Sequence, residues 1–258
     1  MSSSDNPPGD LVSSIPALAP KPLVLRGKHC TLTPLALEHA PDLFTNLSGL
    51  GDDSLWRYLP TGPYSDLDQF TENIKFLCQG SPFFAFAIFS PNPKYASNKT
   101  RSTDSDSRGI PVGIITYLNI VPVHRSIEIG HVLFAKTLQR TTEATDSIYL
   151  LMKHAFDDLH YQRVEWKANN LNEPSKRAAL RLGFVFEGVF RKHMVVKGRS
   201  RDSAWYSVTD DEWKGGVQAA LHNWLDEANF DVEGRQKTKL EDFRHSSKDY
   251  VLVQGRGV

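Results

Sequence analysis

Ser126-Ile-Glu-Ile-Gly-His-Val-Leu-Phe134, then Lys136-Thr-Leu-Gln-Arg-Thr-Thr-Glu-Ala144, then Asn172-Glu-Pro-Ser-Lys-Arg-Ala-Ala-Leu-Arg-Leu-Gly-Phe184 decide how this chain folds. The first run follows the Pro122–Arg125 turn and reads as a buried strand. From Thr141 to Leu159, Ala144, Ile148, Leu151, Met152, Ala155, Phe156 and Leu159 recur at steps of three and four, which predicts a helix. Arg163 to Lys167 is a short strand. Glu173 to Leu182 is a second helix, with Asn172 as its cap, Pro174 in its first turn and Gly183 as its stop. The strand therefore runs straight into a helix across Lys136–Ala144. A helix N-terminus presents unpaired backbone N–H groups and the positive end of the helix dipole. That junction is suited to an anion, a pyrophosphate included.

Working outward, Leu23–Leu25 and Cys30–Thr33 read as a strand pair or one bent strand around Gly27. Pro34 to Leu47 is a helix with Leu37, Ala40, Leu43, Phe44 and Leu47 on one face. Trp56–Pro60 is an aromatic connection. Ser65 or Asp66 caps a second helix, faced by Phe70, Ile74 and Leu77. Phe83–Phe89 and Val112–Ile120 are buried strands, separated by a polar surface loop at 91–109. Downstream, Phe184–Val196 and Asp202–Val208 form a hairpin around Lys197-Gly-Arg199, and Asp210 to Asn229 is one further amphipathic helix. Strands joined by hairpins and interrupted by helices argue an α+β fold with a mixed sheet, not a doubly wound parallel one. The expected organisation is a disordered leader at 1–21, one domain over 22–210, and a C-terminal helix with a charged tail over 211–258.

Composition excludes several classes. The 258 residues carry 30 basic and 30 acidic side chains, so no global charge bias points to nucleic acid or membrane. No run approaches the roughly 20 apolar residues that span a bilayer, and the Met1–Pro22 leader lacks a signal-peptide pattern. Cys30 and Cys78 are too few for a disulfide framework and read as small buried hydrophobes, compatible with a cytoplasmic setting. The nine histidines show no metal-ligand spacing, and the nucleotide-binding glycine motifs and the nucleophile elbow are absent. No metal site is expected.

Four motifs in order carry a resemblance: Glu128-Ile-Gly-His131, Gln139-x-x-Thr142-x-Ala144, Asn172-x-x-Ser175 and Leu182-Gly-Phe184. Together with Val112-Gly113 and Ile120-x-Pro122, they resemble the GNAT superfamily of acetyltransferases over residues 22–210, and within it the branch typified by ribosomal-protein N-terminal acetyltransferases. The resemblance implies a single domain with a central mixed, mostly antiparallel, twisted sheet flanked by helices. It also implies acetyl-CoA as co-substrate and an amine acceptor. Val132, Leu133 and Phe134 would pair with the pantetheine arm as a peptide pairs with a sheet edge. Amides from Gln139 through Arg140, Thr141, Thr142 and Glu143 to Ala144 would hold the pyrophosphate. Asn172 would hydrogen-bond the arm near the thioester, with Ser175 near the sulfur. The chain departs from the pattern twice. Thr142 stands where the loop usually carries Gly, and Ala179 stands where many members use a tyrosine to protonate the leaving thiolate.

An amine must be neutral to attack a thioester, so a base is useful; Glu128 is the candidate, directly or through a water. Its structural alternative is a salt bridge or structural hydrogen bond. Ser175 is the candidate proton donor in place of the tyrosine; its alternative is a first-turn helix residue bonding backbone. Amides near Val132 and Leu133 are candidates to stabilise the oxyanion. Trp56, Tyr58, His193 and Trp205 are acceptor-side candidates. Arg191, Lys192, Lys197, Arg199 and Arg201 form a basic cluster, either a solvated hairpin or a site for an acidic acceptor or the coenzyme's 3′-phosphate. Three functional readings follow. One is an acetyltransferase acting on a small-molecule amine or a protein N-terminus, as monomer or homodimer. The second is a degenerate GNAT-fold protein that binds coenzyme A or a partner without catalysis. The third is an interaction scaffold that uses the 91–109 loop and the C-terminal helix.

Overall fold

The computed structural model describes residue 9 and residues 11–48, 53–80, 82–92 and 109–245. Eight strands form one sheet in the order β1-β2-β3-β4-β5-β6-β8-β7. They are β1 (Leu25–Arg26), β2 (Thr31–Pro34), β3 (Phe84–Ser90), β4 (Ile110–Val121), β5 (Ser126–Phe134), β6 (Arg163–Asn169), β7 (Val185–Val196) and β8 (Arg199–Thr209). The helices are α1 (Ala40–Leu47), α2 (Leu67–Leu77), α3 (Thr142–Lys153), α4 (Glu173–Leu182), α5 (Asp210–Glu212), α6 (Gln218–Trp224) and α7 (Leu240–His245). Every strand pair is antiparallel except β5–β6. That exception has a topological cause. β5 reaches β6 through α3, and a helical crossover returns the chain in the same direction. The architecture is α+β with a mixed sheet, as the element order requires.

Local signals account for the helix ends. Asp66 caps α2 by accepting the Gln69 amide, and Thr141 caps α3 by accepting the Ala144 amide. Asn172 caps α4, which has Pro in its first turn and Gly183 after its last. α3 continues through a wider π turn at His154–Asp158 and packs on β5 and α6, while α4 covers β6 and β7. Asp146, buried in α3, accepts the His29 and Cys30 amides at 2.7 and 3.2 Å and so ties the β1–β2 turn to the helix.

Three expectations are corrected. The part of the leader described here is docked, because Ala17 is buried and donates its amide to Pro122 O, while Arg125 Nε donates to Ile15 O. Paired backbone offsets the ordering cost that composition alone suggested; residues 1–8 lie outside the described residues, as do 93–108 of the expected loop and 246–258 of the tail. The single helix expected over Asp210–Asn229 is broken: Gly216 sits at φ 145°, which a glycine adopts freely, and the chain makes α5, a π turn and α6 instead. Cys78 is exposed at the end of α2, with its Sγ donating to Leu35 O, whereas Cys30 is buried. Beyond α6, Leu240 of α7 is fully buried and Arg244 donates to the last carbonyls of α4, at Leu180 and Arg181.

Candidate active site

β5 and β6 pair only at Ser126↔Arg163, Ile127↔Val164 and Glu128↔Glu165. Beyond Glu128 they part, and the gap opens into a cleft of about 1590 Å³. Its walls are the free half of β5, the Lys136–Thr145 junction, the end of β6, the start of α4 and residues of the β7–β8 hairpin. The free half of β5 is itself irregular. Thr116 pairs with Gly130 and Ile114 with Leu133, so β5 has an extra residue between them, and His131 takes a left-handed φ of 46°. Val132, Leu133 and Phe134 thus line the cleft on a strand whose β6-facing edge is unpaired, with Leu133 also buried in the core.

At the junction, the left-handed residue is Arg140 (φ 62°), not Thr142. Position 142 is already helical, so a glycine is not required there. The amides divide by what they already hold. Gln139 N–H donates to Ala135 O, and Ala144 N–H donates to the Thr141 hydroxyl. Those of Arg140, Thr141 and Thr142 make no hydrogen bond among the described residues and line the cleft. The Thr142 hydroxyl donates to Glu143 Oε2, and Ser90 Oγ donates to Glu143 Oε1 at 3.4 Å, so the buried Glu143 side chain points inward. Gln139 Nε2 reaches Phe134 O at 3.4 Å.

Glu128 is 4% exposed. Its Oε2 accepts from Asn119 Nδ2 at 2.6 Å and pairs with Lys167 Nζ at 2.9 Å. Lys167 is held in turn by Glu165 at 2.9 Å, and Glu165 by Arg163, which forks onto Glu187. Both contacts of Glu128 fall on Oε2; Oε1 lies toward Gly130, where an added Cβ would sit 3.2 Å from it and 2.7 Å from Leu118 Cδ1. Burial pushes the Glu128 carboxyl up, and Lys167 and Asn119 pull it back only in part. The ion pair foreseen as the structural alternative for Glu128 is therefore present, in the wall of the cleft.

Ser175 stands across the gap. Its Oγ accepts from Trp166 Nε1 at 3.0 Å, and its amide donates to Asn172 Oδ1 at 3.3 Å. An indole N–H only donates, so the serine's own proton is left for another acceptor. Asn172, with its Oδ1 used as the helix cap, keeps its NH₂ for the cleft. Ala179 is fully buried and is not part of the cleft wall.

Of the acceptor-side candidates, Tyr58, His193 and Trp205 line the cleft. Tyr58 OH donates to Leu171 O, His193 Nδ1 meets Ser203 Oγ at 3.0 Å, and the Trp205 ring lies 3.9 Å below Lys167 Nζ. Trp56 does not line it. Trp56 is 2% exposed, donates to Leu47 O and packs edge-on against Tyr64 and Phe70, so it belongs to the core. Within the basic cluster only Arg201 reaches the cleft. Asn119, Lys167 and Trp166 were not foreseen. One signal was available: in Arg163-Val-Glu-Trp-Lys167 the charges alternate on one strand face with the apolar residues on the other.

Comparison with known proteins agrees with this geometry. Residues 29–185 match the Acetyltransferase (GNAT) domain, and the chain belongs to that family. A GCN5-related N-acetyltransferase from Brucella melitensis is 33% identical, with a TM-score of 0.80 over 90% of this chain and 98% of that one. A probable acetyltransferase of the GNAT family from Chromobacterium violaceum is 35% identical, with a TM-score of 0.70 over 83% of this chain and all of that one. YdaF of Bacillus subtilis, named as a ribosomal N-acetyltransferase, is 34% identical over 103 residues, which is 40% of this chain and 56% of that protein. The chain thus matches little more than half the length of that curated relative.

Proposed function

We propose that this protein is an N-acetyltransferase that moves the acetyl group of acetyl-CoA to a primary amine by direct attack in a ternary complex. The observation that carries the reading is the parting of β5 from β6 immediately after Glu128. It sets an open strand edge, the unpartnered amides at Arg140–Thr142, the Ser175 hydroxyl and the Glu128 carboxylate around one cleft. These groups fit a long thioester carrying a pyrophosphate: amides for the anion, a strand edge for the amide-bearing arm, and an acid and a base at its far end. Acetyl-CoA supplies the activated acyl group. Asn172 NH₂ orients the arm, and the amides beside Val132 and Leu133 stabilise negative charge on the carbonyl oxygen.

Glu128 Oε1 takes the proton of the attacking amine, directly or through a water, while Asn119 and Lys167 fix Oε2. Ser175 gives its proton to the leaving thiolate, with Trp166 fixing its oxygen. All of these groups lie on one chain, so a monomer suffices, and a homodimer is compatible. No helix among the described residues is long and apolar enough to cross a membrane; a cytoplasmic setting suits two free thiols. The acceptor is a small amine or a protein N-terminus, the latter favoured by the likeness to YdaF.

Initial rates measured while varying acetyl-CoA and amine together test the mechanism. Direct attack in a ternary complex gives intersecting double-reciprocal lines. Parallel lines would mean an acetylated enzyme and would refute it.

A further inference from the structure

On β8, Arg201, Ser203 and Trp205 alternate onto one face and line the cleft. It is the face that bears Lys167, which sits directly opposite Trp205. Most charges there are matched at contact distance: Glu128 and Glu165 with Lys167, and Glu165 and Glu187 with Arg163. Arg201 is different. β6 ends its pairing at Asn169↔Ser203, so no strand covers Arg201 on that side, and across β7 its partner is Met194. The guanidinium makes no hydrogen bond or ion pair among the described residues, and its Nε is buried without a partner. Glu128 acts on it only through space, committed as it is to Lys167 and Asn119. Burial and the charge of Arg201 lower the pKa of the neighbouring His131, whose imidazole offers no negative charge. Trp205 Nε1 is a second buried donor without a partner in the same cleft.

Arginine and indole donors cannot accept, so each requires an oxygen supplied from outside. A guanidinium in a partly dry wall favours a carboxylate, whose two oxygens match its fork. We propose that Arg201 anchors a carboxylate carried by the acceptor, so that the preferred acceptor is an amine bearing an acid group. The amine end then lies toward Glu128 and the acid end toward Arg201. A polycationic amine is disfavoured by the same charge. The inference rests on the acetyl-transfer reading for the fate of the amine, but not for binding.

The test uses two matched pairs of probes: L-alanine with L-alaninamide, and a peptide with glutamate at its second position with its glutamine twin. Binding of each to the full chain saturated with coenzyme A is measured by calorimetry, and acetyl transfer from acetyl-CoA is measured in parallel. In at least one pair the acidic member should bind and react better by about tenfold or more, the scale of a charge-assisted bidentate contact. Arg201→Gln should bring that ratio close to one, and Arg201→Lys should leave it between the two. Coenzyme binding by each variant identifies a misfolded protein, and the lysine variant then carries the comparison. Discrimination in the first pair alone identifies a small-molecule acceptor, and in the second alone a protein N-terminus. Ratios near one in both pairs with the unaltered protein, or a preference that survives Arg201→Gln, would overturn the proposal. If no amine is acetylated although coenzyme A binds, the acetyl-transfer reading fails, and the binding ratios still decide the role of Arg201.

Discussion

The base role proposed for Glu128 and the ion pair it makes place different demands on its carboxyl. Ion pairing with Lys167 favours its charged form, and burial opposes it more strongly. A carboxyl raised in this way loses its base form as pH falls through a point above the ordinary carboxylate range. The pH profile of kcat/KM should therefore drop on the acid side along a limb set above that range. Glu128→Gln should lower kcat by roughly 10²–10⁴-fold and remove the limb; a small loss independent of pH would leave Glu128 a structural ion-pair partner only. Ser175→Ala should lower kcat by about 10²-fold or more if the hydroxyl is the acid. Trp166→Phe, which keeps the ring but deletes the donor, should cost about 0.5–1.5 kcal/mol of the same barrier, the worth of one hydrogen bond. Unchanged kcat and KM in Ser175→Ala would make the serine a helix residue and nothing more. Glu128 and Ser175 could be named from the sequence because they sit in motifs. The roles of Asn119, Lys167 and Trp166 depend on which strands lie side by side, and so does the singling out of Arg201 from the basic cluster that the sequence shows. The burial of Trp56 depends on tertiary contacts in the same way: its pocket is made by Leu47, Tyr64 and Phe70, and no local pattern reveals it.

At the scale of elements, the junction between β5 and α3 shows what local chemistry can and cannot announce. Thr141 closes it twice, donating to Leu138 O at 2.7 Å and accepting the Ala144 amide at 3.2 Å. Thr141→Ala should cost about 1 kcal/mol of stability, read as a fall in Tm of roughly 2–4 °C for a chain of this size. It should also weaken coenzyme A binding, whereas Thr141→Ser should keep most of both. An unaltered Tm in the alanine variant would show that the cap contributes nothing. Caps and stops were legible at Asp66, Asn172 and Gly183, since capping depends on a few adjacent residues. The left-handed turn at Arg140 and the extra residue at His131 were not, because neither has a glycine to mark it. The break at Gly216 was hidden by an apolar periodicity that continues on both sides of it.

For the whole molecule, the α+β architecture followed from the order of elements, and the one parallel pair from the crossover between β5 and β6. What the order could not give is where that pair comes apart, and the cleft exists because it does so after Glu128. In the proposed function, this cleft brings a thioester and an amine together. Release of coenzyme A thiol from acetyl-CoA, followed with and without a panel of primary amines while acetyl-CoA binding is measured on the same protein, tests it most directly. Tight binding is expected, with thiol release that depends on the amine and falls by about 10² or more in Glu128→Gln. Binding without any amine-dependent release would contradict it, and would leave a member of the family that holds the coenzyme without using it.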